Sequence, residues 1–192
     1  MELPVRKPNR LSGYDYSQNG AYFVTICTQD RKKFLSHIVG DGFPVPQAHG
    51  MIAEEFIRQI PVKYPSVAVD KYVIMPDHIH LILRFDMGNG TGNPSPTMIP
   101  ECGNGTGKPS PTMIPECRNG TGNPSPTLGT VIGWYKYQVT KQINLSANTE
   151  GEKVFQRSYY DHVIRNQQDY DEIWQYIENN PMKWVMEKSG FE

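Results

Sequence analysis

Long apolar runs are missing from this chain: nowhere do about 18 apolar residues follow one another, as a membrane-spanning helix requires. The start, MELPVRKPNRLSGY, has no apolar stretch of the kind an export signal carries, so a cytoplasmic protein without a membrane partner is expected. Cysteine is scarce. Three occur, two of them inside repeat units, in neither a disulfide framework nor a zinc-ligand spacing, and they read as reduced and incidental. Net charge is nearly absent too: 19 Lys and Arg face 20 Asp and Glu, which argues against a protein held on nucleic acid by bulk charge alone. Segments 1–33 and 128–168 are basic by +3 and +2, while 34–127 and 169–192 are acidic by −2 and −4, excesses that ordinary solvated surface can carry. Apolar residues reach only 38%, whereas 17 Gly and 16 Pro point to a sizeable irregular segment within a length, 192 residues, that suits one domain.

That segment is visible as a tandem repeat. GNGTGNPSPTMIPEC at 88–102 recurs as GNGTGKPSPTMIPEC at 103–117 and, shortened, as RNGTGNPSPT at 118–127. Solenoid repeats keep an apolar pattern, but these units offer a core only Met-Ile or nothing. Gly, Asn, Pro, Ser and Thr bury too little surface to offset their ordering entropy, so 88–127 reads as a flexible insertion in a single domain spanning 1–192. Cys102 and Cys117 fall within it.

The remaining residues carry legible periodicities. Ala21 to Thr28 (AYFVTICT) fits a buried strand. Ile52, Phe56 and Ile60 make a helical stripe over Met51 to Ile60, which Pro61 is expected to end. Val67 to Met75 and His78 to Phe85 are two strands joined by the turn dipeptide Pro76-Asp77, and so a hairpin. Leu128, Val131, Ile132, Tyr135, Val139 and Ile143 trace a long amphipathic helix. Tyr160 to Ile164 is a short strand. Asn166 with Asp169 marks the start of a last helix expected to run to about Asn179, with Pro181 stopping it. This order predicts an α+β fold: a ferredoxin-like antiparallel sheet with helices on one face, plus the C-terminal helix.

Residues two apart on a strand share a face, so His78 and His80 present two imidazoles side by side, a platform for a transition metal. Taken alone, such a pair is more often two histidines that alternate with Ile79 and Leu81 on a half-exposed strand. On the last helix, Tyr170, Ile173, Trp174 and Ile177 form the apolar stripe. Tyr176 lies roughly 110° from its centre, with Asn180 one turn on, and neither is a natural core residue. His37 and His49, in a Gly- and Pro-rich stretch, are assigned to the surface. His162 is assigned to the end of a strand, and Arg157, Tyr159 and Arg165 around it could stack bases and meet phosphates.

As a set these residues resemble the REP-associated tyrosine transposases, a branch of the HUH single-strand DNA transposases and nucleases. The resemblance covers nearly all of the chain outside the repeats. It rests on Tyr22-Phe23-Val24-Thr25 with Arg31 downstream, on Met75-Pro76-Asp77-His78-Ile79-His80-Leu81, and on Trp134 followed by Lys136. Phe155-Gln156-Arg157, Asp161-His162-Val163-Ile164-Arg165-Asn166 and Tyr176-Ile177-Glu178-Asn179-Asn180-Pro181 complete it. The chain departs from the family pattern mainly in its 15-residue repeats.

The resemblance implies His78, His80 and Asn180 as ligands of a divalent metal ion, Mg²⁺ or Mn²⁺, and Tyr176 as the nucleophile. A phenol, with an ordinary pKa of about 10, attacks poorly near neutral pH unless its phosphate target is polarised, which the metal would do. The implied activity is cutting and rejoining single-stranded DNA beside hairpins through a 5′-phosphotyrosine. Hairpin contacts are expected, on charge, from Arg6, Lys7, Arg10, Lys136, Arg157 and Arg165. Tyr176 would serve either its own chain's metal or that of a homodimer partner. Two alternatives stay open: a non-catalytic DNA-hairpin-binding regulator of the same fold, and a metallohydrolase using His78 and His80 with water, which leaves Tyr176 unexplained.

Overall fold

The computed structural model describes residues 15, 16, 18–40, 42–86 and 126–189; all but the last two residues of the 88–127 repeats, with Cys102 and Cys117, and the basic residues Arg6, Lys7 and Arg10 lie outside them. Strand β1 (Gly20–Cys27) sends Tyr22, Val24 and Ile26 to one face, each fully buried, and Phe23, Thr25 and Cys27 to the other. On one side it pairs antiparallel with β5 (His78–Phe85), in a register that sets Thr25 opposite His80 and Cys27 opposite His78. Its other side pairs with β6 (Tyr160–Ile164), and β4 (Val67–Ile74) lies outside β5. The order β4-β5-β1-β6, all antiparallel, is that of an α+β, ferredoxin-like sheet. As expected, β4 and β5 form a hairpin. Met75 N–H donates to the His78 carbonyl across Pro76-Asp77, and the Pro76 carbonyl accepts from Phe34 and Leu35 N–H.

Helices α1 (Ala48–Lys63) and α2 (Leu128–Ala147) cover the face that carries Tyr22, Val24, Ile26, Ile79, Leu81, Leu83 and Phe85. The α2 stripe read from the sequence is buried residue for residue, from Leu128 to Ile143. Thr127 starts this helix, its hydroxyl accepting from Thr130 N–H at 3.2 Å. Helix α3 (Gln167–Ser189) packs on the opposite face, where Ile177, Ile173 and Trp174 meet Val73, Met75, Ile82 and Phe23. The helices therefore occupy both faces rather than one. Phe23, Val73, Ile82 and Ile164 give this second face an apolar patch of its own, which the α3 stripe covers as a smaller core.

Both proline stops expected from the sequence are corrected. Pro61 lies inside α1, near its end, and Pro181 lies inside α3, which continues to Ser189. A proline within a helix costs about 3 kcal/mol, through the lost N–H and a clash with the preceding turn. In α1 the apolar residues Ile57 and Ile60 anchor the last turns, and Tyr64 N–H still reaches the Ile60 carbonyl at 2.8 Å. In α3 the proline is itself buried, and Trp184 beyond it packs on the second core. The start of α3 is as expected: Asn166 Oδ1 accepts from Asp169 N–H at 2.9 Å.

A two-stranded ribbon, β2 (Ser36–Val39) with β3 (Phe43–Pro46), was not legible in the sequence. Its strands are four residues long and β3 carries Pro44 and Pro46, which suit an edge but erase the usual strand signal. Its turn sits against α3: at Gly42 (φ +108°) a Cβ would stand 2.9 Å from the Met182 backbone, so only glycine fits. His37 is exposed as expected, while His49, expected on the surface, is half-buried with its ring edge on Phe34.

Candidate active site

The second face of the sheet is not apolar throughout. On β5 it carries His78, His80 and Ile82 in succession, with only 7% and 4% of the histidines exposed. The Nδ1 atom of each ring is held from behind. Asp77 Oδ1 stands 2.6 Å from His78 Nδ1, and Thr25 Oγ1 2.9 Å from His80 Nδ1. A carboxylate only accepts, so His78 donates through Nδ1–H and its Nε2 keeps a free lone pair. Both Nε2 atoms point into the same space, 3.1 Å apart. Burial drives both imidazoles toward the neutral form. It holds His78 below the usual range against the pull of Asp77, and takes His80 down to about 3, helped by His78 and the Arg31 guanidinium.

Helix α3 brings the remaining groups. Tyr176, Asn180, Lys183, Trp184 and Glu187 follow at helical spacing along one stripe and line a cleft of about 490 Å³ with both histidines, Thr25 and Arg31. The Tyr176 ring stands 5.3 Å from that of His80 and edge-on to Phe23 at 5.9 Å, and its 41% exposure leaves it open to the cleft. Asn180 is buried at 8%, its amide nitrogen 3.4 Å from His80 Nε2. Rotating the amide by half a turn would aim Oδ1 there instead.

Among the described residues no three His, Cys, Asp or Glu side chains gather where an ion could sit. The donor set to be tested is two imidazoles and an amide. It fits a divalent ion on two counts. Donors bound at about 2.1 Å to an octahedral ion stand about 3 Å apart when adjacent, and the two Nε2 atoms are 3.1 Å apart. Each ring also has its far nitrogen oriented by an oxygen, the arrangement that holds ligating histidines in place.

Four of the sequence-nominated residues, His78, His80, Tyr176 and Asn180, thus meet in one cleft. Of the nominated basic residues, the described ones, Lys136, Arg157 and Arg165, do not join them. Lys136, on α2, donates through Nζ to the carbonyls of Gln156, Arg157 and Ser158, at 2.6, 3.0 and 3.4 Å, so its ammonium orders that segment. Arg157 lines a separate groove with it, and Arg165 is exposed at the end of β6. His162, also on β6, bonds Asp169 at 3.0 Å.

Sequence reasoning named Thr25, Asp77 and Arg31 only as motif positions and gave them no role, though Thr25 and Asp77 orient the rings and Arg31 walls the cleft; it missed Lys183 and Trp184, which wall it too. Asp77 had a signal, since it adjoins His78, but its turn propensity masked it. Lys183 and Trp184 stand seven and eight residues after Tyr176 on the same stripe, hidden by the expectation that Pro181 ended the helix.

No family model matches the chain. An uncharacterized protein of Haemophilus influenzae is 31% identical over 188 residues, covering 95% of this chain and 92% of that protein. Among solved structures, a REP-associated tyrosine transposase bound to a REP hairpin superposes with a TM-score of 0.51 and 17% identity, over 90% of this chain and 74% of the other. A structure from Deinococcus radiodurans superposes more loosely, with a TM-score of 0.40 and 18% identity over 88% of this chain and 95% of that one.

Proposed function

The chain belongs to the same family as the Haemophilus influenzae protein and has a REP-associated tyrosine transposase-like fold, and from that premise we propose that it cuts and rejoins single-stranded DNA next to hairpins through a 5′-phosphotyrosine. One observation carries the reading: Tyr176, from a late helix, stands ring to ring with His80, 5.3 Å away, with Asn180 one turn on. A structural pair of histidines would need neither.

In this reading His78, His80 and Asn180 hold a divalent ion, Mg²⁺ or Mn²⁺. When bound, the ion would supply Lewis-acid polarisation of a non-bridging phosphate oxygen. Imidazole donors suit Mn²⁺ better than Mg²⁺. The protein's own part is positioning. Thr25 and Asp77 fix the two rings, Phe23 and His80 flank the Tyr176 ring, and α3 delivers its phenol to the cleft. The Tyr176 oxygen then forms a bond to phosphorus as the phosphorus–3′-oxygen bond breaks. The phenol gives up a proton and the departing 3′-oxygen gains one. Because the ester is retained on Tyr176, an incoming 3′-OH can reverse the step without a nucleotide cofactor.

The DNA partner proposed is a hairpin with a single-stranded flank, and Tyr176 acts on the histidines of its own chain, as the geometry within one chain supports. Incubating the protein with Mn²⁺ and an end-labelled hairpin oligonucleotide, then running a denaturing gel, tests the proposal. A covalent adduct is expected from the wild type and none from Tyr176→Phe. Binding without an adduct would favour the regulatory reading. Cleavage without an adduct, unchanged in Tyr176→Phe, would favour hydrolysis by water.

A further inference from the structure

Two successive residues of the short 3-10 turn Gln29–Arg31, Asp30 and Arg31, take left-handed backbone angles (φ +54° and +53°) without being glycine. Each such residue costs on the order of 1 kcal/mol or more, and the strain persists only where surrounding structure dictates it. Here the fully buried Thr28 dictates it. Its hydroxyl is 2.9 Å from the Lys32 carbonyl and 2.9 Å from the Asp77 carbonyl, which ties the turn to the β4–β5 hairpin beside His78. The strained turn throws the Arg31 side chain over the end of β1 into the histidine cleft.

Its fork is poorly occupied there. Among the described residues its partners are the Cys27 thiol, a weak acceptor, at 3.1 Å and Asp77 Oδ2 at 3.6 Å, beyond good hydrogen-bond length. The side chain stays 53% exposed. A guanidinium has five donors in a plane, and a phosphodiester is the acceptor that matches them. Across the cleft Lys183 holds its ammonium 5.5 Å from the centre of the Tyr176 ring. Glu187, on the same wall, keeps the cleft from being uniformly positive.

We propose that Arg31 is a phosphodiester-anchoring residue of the cleft, gripping a non-bridging oxygen of the single-stranded flank while Lys183 steadies the strand from the α3 wall. The proposal rests on the reading of the cleft as a single-strand site, and it adds the group that seats the backbone before any chemistry. An alternative role, holding Asp77 for His78, would act on the metal and leave DNA binding without metal unchanged.

The test is therefore made in EDTA. Affinity of the full chain is measured by fluorescence anisotropy for a bare hairpin and for the same hairpin with a single-stranded flank, across a salt series. Arg31→Gln is expected to lose about ten-fold in affinity for the flanked hairpin and to lower the salt slope by about 0.7, one single-strand phosphate contact. Its affinity for the bare hairpin stays at the wild-type value, which also shows that it folds. Arg31→Lys falls between, and Arg58→Gln, on α1 across the sheet, changes neither. Wild-type affinity of Arg31→Gln for the flanked hairpin overturns the proposal. So does an equal loss on both hairpins, or a flank that adds nothing to wild-type affinity. Failure of the proposed chemistry would show separately, as flank-dependent binding through Arg31 with no covalent adduct in Mn²⁺.

Discussion

The two faces of this sheet are built from the same strands and do opposite work. Along β5, Ile79, Leu81 and Leu83 enter a dry core shared with α1 and α2, while the alternate residues His78 and His80 line a cleft beneath α3. The first face holds few polar atoms: the Tyr135 hydroxyl donates to the Ala53 carbonyl at 3.2 Å, while at the margin Asp161 Oδ1, opposite Val24, is buried without a partner among the described residues. The second face gathers polar groups whose far ends are held by oxygens and whose near ends meet only one another. His78 and His80 are as buried as core residues, yet both turn Nε2 to the same point. A period of two lets one strand be scaffold and site at once, and the rigidity of the first face fixes the ring spacing on the second.

The sharpest way to break the comparison is Tyr176→Phe. It should lower covalent adduct on a denaturing gel by more than about a thousand-fold while leaving the thermal melting temperature almost unchanged, since the ring is 41% exposed. Leu81→Ala is the mirror experiment. Leu81 is fully buried in the first core, so urea unfolding should show a loss of about 2–5 kcal/mol, with Mn²⁺ affinity retained below the unfolding transition. Asp77→Asn removes the carboxylate behind His78, and calorimetric titration should show Mn²⁺ affinity falling about 10–100-fold. An unchanged affinity would mean that Asp77 serves only the turn.

The smallest effect expected is on stability against pH, measured by thermal melts of metal-free protein in EDTA. In the unfolded chain His80 titrates near its ordinary value of 6.5, whereas in the folded chain burial takes it down to about 3. The unfolded state therefore binds more protons between these values. Stability should be full above about 6.5 and decline as pH falls toward 3, with His78 contributing in the same direction. His80→Gln should flatten that decline, and a slope identical to wild type would show that the ring is not desolvated.

Much of this arrangement is legible in the sequence. Strict alternation placed both histidines on one face, the 3.6-residue period put Tyr176 off the core side of its helix, and Asn166 marked where that helix begins. What could not be read were features in which a distant contact outweighs a local preference. Pro181 breaks helices locally, but Trp184 beyond it finds the second core and the helix continues. In the Phe43–Pro46 strand Pro44 and Pro46 mask the β-favouring Phe43 and Val45, and it forms as half of a two-stranded ribbon whose turn sits against α3. Asp30 and Arg31 hold angles that no sequence pattern announces, because the cause is Thr28 bonding to a hairpin 49 residues away.

By itself, then, the sequence determined the periodic elements, their order and the face each chemical side chain would take, because periodicity is a local property of backbone geometry. The tertiary structure alone decided that α3 would lie on the opposite face from α1 and α2, that it would run on past Pro181 to bring Lys183 and Trp184 to the cleft, and that Arg31 would be aimed there. Those outcomes depend on which surfaces remain unburied once the first core is full and on bonds between residues far apart in the chain. The pair of imidazoles is a sequence fact. The tyrosine and amide beside it are a packing fact, and the proposed chemistry needs both.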